Sequence, residues 1–124
     1  ASHPKILNIA GVGLVHVGFP LTRQLHGTWV GRTCGQWITA GATYEKMQGA
    51  DAERSALLDR YIERDRNGLI EDIAQKKPDI ILIDRIRYDW LQWAKASPEL
   101  AKELAHYREL TEKHGVLVLR RQDG

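Results

Sequence analysis

The chain has 124 residues, of which 43% are hydrophobic and 27% charged, and its 18 basic and 16 acidic side chains leave a net charge of +2. A chain of this length buries roughly two-thirds of its unfolded surface in one core, so it requires no disulfide or metal to fold. So small a charge excess produces no long-range field, and we predict no nucleic-acid partner. Cys34 is the single cysteine, which excludes the disulfide-rich secreted class.

The first third of the chain has the pattern of a β-α-β unit. The apolar run Lys5–Ala10 predicts a buried strand that ends in the glycine-rich turn Gly11–Gly13. A proline in a first turn and two leucines four residues apart predict a short helix over Gly18–Leu25, and Thr28–Arg32 predicts a brief second strand. Thr33–Gly49 has few periodic apolar positions, so we predict an irregular loop containing at most one turn of helix.

A long amphipathic helix is predicted from about Gln48, because apolar residues recur every three or four positions and charged residues occupy the opposite face. Asn67 and Gly68 mark a candidate kink or break, since glycine costs about 1 kcal/mol relative to alanine inside a helix. Pro78 ends the helix by disfavouring the α conformation of the residue before it. Ile80–Ile83 is an unbroken apolar run, which predicts a strand buried on both faces.

The last third of the chain predicts two helices and a strand. Tyr88–Ala94 has the pattern of a short helix, and Ser97 followed by Pro98 is a strong helix start. We expect this second helix to reach the pair His114-Gly115 and Val116–Leu119 to form the last strand. The buried stripe predicted for that helix consists of Leu100, Leu104, Tyr107 and Leu110.

The predicted order of elements is β-α-β-loop-α-β-α-α-β, with no internal repeat or domain boundary. It indicates a single soluble α/β domain over residues 1–124. The expected architecture is a three-layer α/β/α sandwich that corresponds to half of a doubly wound, Rossmann-like fold. We expect about four mostly parallel strands in the order 2-1-3-4, with the direction of the last strand left open.

Two features resemble catalytic or phosphate-binding elements of doubly wound folds, and both have simpler interpretations. Gly11–Gly13 follows the first strand, where such folds bind phosphate. His16 occupies the place of the third glycine in the dinucleotide pattern, which favours an ordinary turn. Asp84 ends the Ile80–Ile83 strand, but Arg85 and Arg87 adjoin it and favour a structural ion pair or a helix cap.

No other pattern indicates chemistry. Cys34 lies between Thr33 and Gly35, and although Arg32 and His26 are close in sequence, a cysteine without a catalytic role is the simpler interpretation. The sequence has no nucleophile elbow, phosphate-binding loop or zinc motif. We therefore predict no catalytic residue, no cofactor and no metal site. The histidines do not occur at metal-ligand spacing with one another; they are His3, His16, His26, His106 and His114.

Four tryptophans are more than a core of this size requires. Trp90 and Trp93 lie three residues apart, so they share a helix face and are predicted to pack in the core. The other two flank the irregular loop beside basic residues, a combination that suits a sugar, a lipid headgroup or a partner protein. The predicted ligand or partner surface consists of Arg23, Trp29, Arg32 and Trp37.

Several segments together carry a resemblance to a known family. They are Gly18–Ala42, which contains Phe-Pro, Trp-x-x-Arg and a second Trp with a Gly four residues after it; Lys77–Asp84, in which Pro-Asp precedes an apolar strand ending in Asp; Tyr107; and the pair Arg120-Arg121. The chain resembles, over nearly its whole length, the C-terminal soluble region of bacterial polytopic membrane proteins. These are similar to lipid-linked-sugar glycosyltransferases of the protein-mannosyltransferase and aminoarabinose-transferase type.

The resemblance implies a domain excised from a larger membrane protein, following its last transmembrane helix at the periplasmic face of the bacterial inner membrane. In that family the catalytic acidic residue belongs to the membrane part, so this chain would be a non-catalytic accessory domain. Its partners would be the rest of the membrane protein and an acceptor glycan or lipid-linked sugar. The positions that match the family are Trp29, Arg32, Trp37 and Asp84, so the resemblance adds Asp84 to the predicted ligand or partner surface.

Two other functions stay open from the sequence. One is a freestanding cytoplasmic Rossmann-like domain that binds a phosphorylated small molecule at Gly11–Gly18, with Asp84 opposite. The other is an interaction domain with no small ligand.

Overall fold

The computed structural model describes residues 3–11, 27–31, 36–86 and 88–122, and for Trp29 and Trp37 it describes the backbone alone. Within these residues five strands form one sheet and four helices accompany it. The strands are β1 (Lys5–Ile9), β2 (Thr28–Trp29), β3 (Ile80–Asp84), β4 (Tyr107–Lys113) and β5 (Val116–Arg121). The helices are α1 (Trp37–Met47), α2 (Ala52–Lys76), α3 (Trp90–Lys95) and α4 (Pro98–Leu104).

The sheet is mixed, with strand order β2-β1-β3-β5-β4. β1 runs parallel to β2 and to β3, with Ile6 opposite Ile80. β5 runs antiparallel to β3 and to β4, with Leu119 opposite Ile81. The α/β class is therefore confirmed, but the sheet of the described residues divides equally between parallel and antiparallel pairs and is not mostly parallel.

The main hydrophobic core lies on one face of the sheet. Alternate residues of β1, β3 and β5 point to it, because side chains alternate across a strand, and all four helices contribute to it. A smaller cluster of Ile6, Ala10, Leu82 and Val116 is buried on the opposite face. The prediction that the Ile80–Ile83 run is buried on both faces is confirmed, since Ile81 and Ile83 belong to the first cluster and Leu82 to the second.

The helix predicted from Ser97 to His114 is wrong in its second half. Ser97 caps α4 by accepting a hydrogen bond from the Leu100 amide, and Pro98 begins the helix as predicted, but α4 ends at Leu104 and the chain continues as β4. His114 and Gly115 both have positive φ and form the two-residue turn of the β4–β5 hairpin. Such turns match the twist of paired strands, so the pair that resembled a helix end is a hairpin turn.

The predicted loop over Thr33–Gly49 is also wrong, because α1 occupies most of it. Long-range hydrogen bonds hold this helix. The Gln36 amide donates to the Ala10 carbonyl at 2.6 Å, and the Gln36 side-chain oxygen accepts from the Ala10 amide at 2.7 Å. Thr39 donates from its hydroxyl to Asp65 of α2 at 2.6 Å. α1 thus depends on partners distant in the sequence, which local patterning does not reveal.

α2 is a single helix that continues through Asn67 and Gly68, so the candidate break does not occur. Leu69 and Ile73 anchor its second half in the core, and their burial offsets the roughly 1 kcal/mol cost of the glycine. The helix ends as predicted, with Lys77 in the left-handed conformation immediately before Pro78.

Candidate interaction surface

The predicted partner surface lies only in part within the described residues. Arg23 and Arg32 lie outside the described residues. The Trp29 backbone belongs to β2 and pairs with Ile6, and the Trp37 backbone begins α1. Whether these four side chains form one surface therefore stays a prediction.

Asp84 is 6% exposed and shapes the turn that follows β3. Its carboxylate accepts a hydrogen bond from the Ile86 amide at 2.8 Å. The neighbouring Arg85 binds Asp89 and Glu112 instead, so it forms no ion pair with Asp84. Arg87 lies outside the described residues, and an ion pair between it and Asp84 stays a prediction. Asp84 acts as a local cap of this turn.

Gly11 is the one residue of the predicted phosphate turn that the structure describes. It lies at the end of β1 and is packed against side chains. A Cβ atom built on Gly11 would lie 3.5 Å from Cζ2 of Trp90 and 3.7 Å from the Cβ of Ala40. The rest of Gly11–Gly18 lies outside the described residues, so the phosphate site stays a prediction.

Tyr107, one of the positions carrying the family resemblance, has a structural role. Its hydroxyl donates to the Pro78 carbonyl at 2.6 Å, and the Arg121 guanidinium donates to that hydroxyl at 3.4 Å and lies over the ring. Burial raises the pKa of Tyr107, against a smaller opposing effect of Arg121. These contacts join β4 to the turn before β3.

An apolar cleft opens between α1 and the start of α3, and sequence reasoning missed it because α1 was predicted as loop. We call it the apolar cleft; its volume is about 170 Å³. Tyr44 is 66% exposed and Met47 78% exposed, and Tyr88 is exposed on the opposite wall. The lining residues are Ala40, Thr43, Tyr44, Met47, Tyr88 and Trp90.

Helical geometry and a cap explain how this cleft is built. Ala40, Tyr44 and Met47 are three or four positions apart and so share one face of α1. Asp89 caps α3 by accepting hydrogen bonds from the amides of its first turn, which places Trp90 at the base of the cleft. The Arg85 guanidinium hydrogen-bonds to the Asp89 carboxylate and lowers its pKa.

A wider polar groove lies on the other side of Thr43, which lines both cavities. We call it the acidic groove; its volume is about 820 Å³, and it runs between α1, α2 and the α3–α4 segment. Among the described residues, four carboxylates and two cations line it. The carboxylates are Asp59, Glu63, Glu71 and Glu99, and the cations are Lys46 and Arg66.

Aromatic rings connect the two cavities. Tyr88 meets Trp90 edge to face with ring centres 5.1 Å apart, and Trp90 meets Trp93 in the same way at 5.1 Å. Both tryptophans belong to the core, as predicted, and Trp93 also lines the acidic groove, where Arg66 lies over it. The cleft and the groove are thus two parts of one surface, connected by this row of aromatic rings.

No metal-binding cluster of three or more His, Cys, Asp or Glu side chains occurs in the described part of the chain. No helix among the described residues has both the length and the apolar character needed to span a bilayer. Comparison with protein-family models, curated proteins and solved structures found no match to this chain.

Proposed function

We propose that this chain is a non-catalytic interaction domain, and that it serves as an extracytoplasmic accessory domain of a polytopic membrane glycosyltransferase-like protein at the periplasmic face of the bacterial inner membrane. The observation that carries the interaction role is the apolar cleft, where Tyr44, Met47 and Tyr88 are exposed together.

Because these apolar side chains are exposed, the free energy that their burial would contribute is available for binding a partner. Burying a large apolar side chain contributes about 1.5–3 kcal/mol, and grouped exposed apolar residues are typical of binding surfaces, whereas scattered ones are ordinary. The edge strand β4 is a poorer contact site, because its exposed charged side chains discourage pairing with another strand. The cleft is therefore the best docking surface among the described residues.

The engagement of Asp84 supports a role without catalysis. Its carboxylate is buried and accepts a hydrogen bond from a backbone amide of its own turn, which is a structural role. The resemblance of Gly18–Ala42 and Lys77–Asp84 to the soluble region of membrane glycosyltransferases supports the membrane parent and its sugar-containing substrates as partners.

The finer architecture belongs to the same proposal. We infer a three-layer sandwich of the half-Rossmann type, in which a further layer covers the face opposite α1–α4; the predicted Gly18–Leu25 helix itself lies outside the described residues. Burial of Ile6, Ala10 and Leu82 on that face supports it, because apolar strand residues at zero exposure require a covering layer.

The experiment that tests the function uses the native gene product in its own cells. The reading frame upstream of Ala1 is expected to encode apolar segments of about twenty residues, and the protein is expected in the inner-membrane fraction. Replacing Tyr44 and Met47 by serine should reduce sugar transfer at least tenfold at unchanged abundance. Leu110→Ser, an exposed apolar residue of β4, is the matched control and should leave transfer unchanged.

Trp29→Ala and Arg32→Ala test the predicted aromatic-basic surface in the same native protein, and each should lower transfer or assembly. Recovery of the native product as a short cytosolic polypeptide would disprove the membrane role. Full transfer by the Tyr44 and Met47 variant would disprove the role of the cleft in that reaction.

A further inference from the structure

We infer that the apolar cleft and the acidic groove together bind a cationic peptide segment that carries one apolar anchor side chain. This inference rests on the proposed role as an interaction domain and names the chemistry of its partner.

The apolar cleft supplies the anchor pocket. Its volume of about 170 Å³ suits a single large side chain, and its floor is the buried Trp90. Tyr44 and Met47 form one wall and Tyr88 the other. Tyrosine contributes large contact area with few rotatable bonds, and methionine adapts to the shape of an incoming side chain. Interface energy is usually concentrated in such an anchor and its pocket.

The acidic groove supplies the charge complementarity. Lys46 forms an ion pair with Asp59, and Arg66 lies against Trp93 rather than over open solvent. Glu63 and Glu99 are exposed on the groove walls, and among the described lining residues the carboxylates outnumber the cations. Complementary charges raise the association rate and select against partners of the wrong sign. A ligand here is therefore favoured if it is positively charged.

The two requirements apply to one ligand because the cavities adjoin. Thr43 lines both, and the rings of Tyr88, Trp90 and Trp93 contact one another in a row that leads from the cleft to the groove. Basic residues next to the anchor would reach the groove once the anchor enters the cleft. A short linear segment with this composition fits the surface, in the manner of other peptide grooves that combine side-chain pockets with charged rims.

The same charges disfavour the other occupants of an apolar surface. An anionic lipid surface would be repelled by the excess carboxylates of the groove. A second copy of the chain docked through this face would bring two negative grooves together, which costs affinity. The charge pattern thus favours a basic peptide over a membrane or a self-association interface.

Binding of a defined probe to the purified 124-residue chain tests the inference. The probe is a fluorescein-labelled peptide of six lysines around a central phenylalanine, followed by fluorescence anisotropy. One analogue replaces the phenylalanine by serine and another replaces the lysines by glutamates. We expect saturable binding of the probe that weakens with added salt, and at least tenfold weaker binding of each analogue.

Matched variants locate the binding on the surface. Tyr44→Ser with Met47→Ser should weaken probe binding at least tenfold, and Leu110→Ser should leave it unchanged. Glu63→Gln with Glu99→Gln should weaken binding severalfold and flatten its salt dependence. The control pair Glu53→Gln with Glu109→Gln removes two exposed carboxylates outside the groove and should have no such effect.

Several results would overturn the inference. They are absence of probe binding up to about 1 mM, equal binding of the glutamate analogue, and equal losses in the control variants. Dimerisation in sedimentation, or binding to phosphatidylglycerol vesicles, would do the same if abolished by Tyr44→Ser with Met47→Ser. If the purified chain binds the probe but its native gene product is not a membrane protein, the proposed membrane role alone is disproved. If sugar transfer falls in the Tyr44 and Met47 variant as proposed but the purified chain does not bind the probe, the peptide inference alone is disproved.

Discussion

The guanidinium carbon of Arg66 lies 4.9 Å from the centre of the Trp93 ring. Trp93 is 7% exposed, and the Arg66 Nε is buried with no hydrogen-bond partner among the described residues. The contact joins α2 to α3 and separates the acidic groove from the core. A cation over an indole contributes about 0.5–2 kcal/mol, more as the pair is desolvated.

Substitutions of Arg66 should separate the contribution of its charge to stability from that of its alkyl chain. Arg66→Ala is expected to destabilise the fold by about 1–2 kcal/mol, because it loses the ring contact and uncovers Trp93. Arg66→Met should cost less than about 0.5 kcal/mol, since its side chain still covers the ring and no unpartnered Nε is buried. Urea unfolding measures the free energy of unfolding of both variants. Equal losses in Arg66→Ala and Arg66→Met would show that the positive charge is the main contributor.

Two glycines should respond in opposite ways to alanine. Gly115 has φ +79°, and a Cβ there would lie 2.6 Å from Cγ1 of Ile86, so Gly115→Ala should destabilise by about 1 kcal/mol or more. Gly41 lies within α1 with nothing near its Cβ direction, so Gly41→Ala should stabilise by about 1 kcal/mol. Thermal unfolding of the pair checks this, and a shift of both in the same direction would contradict it.

Tyr107→Phe should destabilise the fold by about 1–3 kcal/mol, because it leaves the Pro78 carbonyl without its partner. Burial raises the pKa of the folded-state phenol above that of the unfolded chain, which is about 10. The contribution of this group is therefore complete below pH of about 10 and is lost as pH rises through the folded-state pKa. Urea unfolding between pH 7 and 11 should show a smaller alkaline loss in the variant.

Acid should weaken the cap of α3. The hydrogen bond from Arg85 and those from the Gln92 and Leu91 amides lower the pKa of Asp89 in the folded state. Because the folded-state pKa lies below the unfolded value of about 3.9, the contribution is present above that value and is lost as pH falls through the folded-state pKa. Asp89→Asn keeps a capping side chain and removes the titration, so its stability should vary less between pH 5 and 2. Identical acid unfolding curves would contradict this role.

The sequence predictions were correct where the signal for an element lay within a few neighbouring residues, and wrong where it depended on distant partners. The Ile80–Ile83 strand and the Ser97 cap were predicted because an apolar run and a capping hydroxyl act within a few residues. α1 was missed because Gln36 and Thr39 are held by Ala10 and Asp65. The cleft was missed with it, since its exposed wall is the outer face of that helix.

The sequence by itself determined the α/β class, the buried central strands, the C-terminal end of α2 and the start of α4, because apolar runs, prolines and caps act through neighbouring residues. Tertiary structure alone decided that Tyr107–Lys113 is a strand. Leu100, Leu104, Tyr107 and Leu110 have helical spacing, yet Leu110 is 47% exposed, and β5 offered hydrogen-bond partners across a two-residue turn. Pairing between strands is a non-local gain that outweighs a weak local preference, and no pattern along the chain reports it.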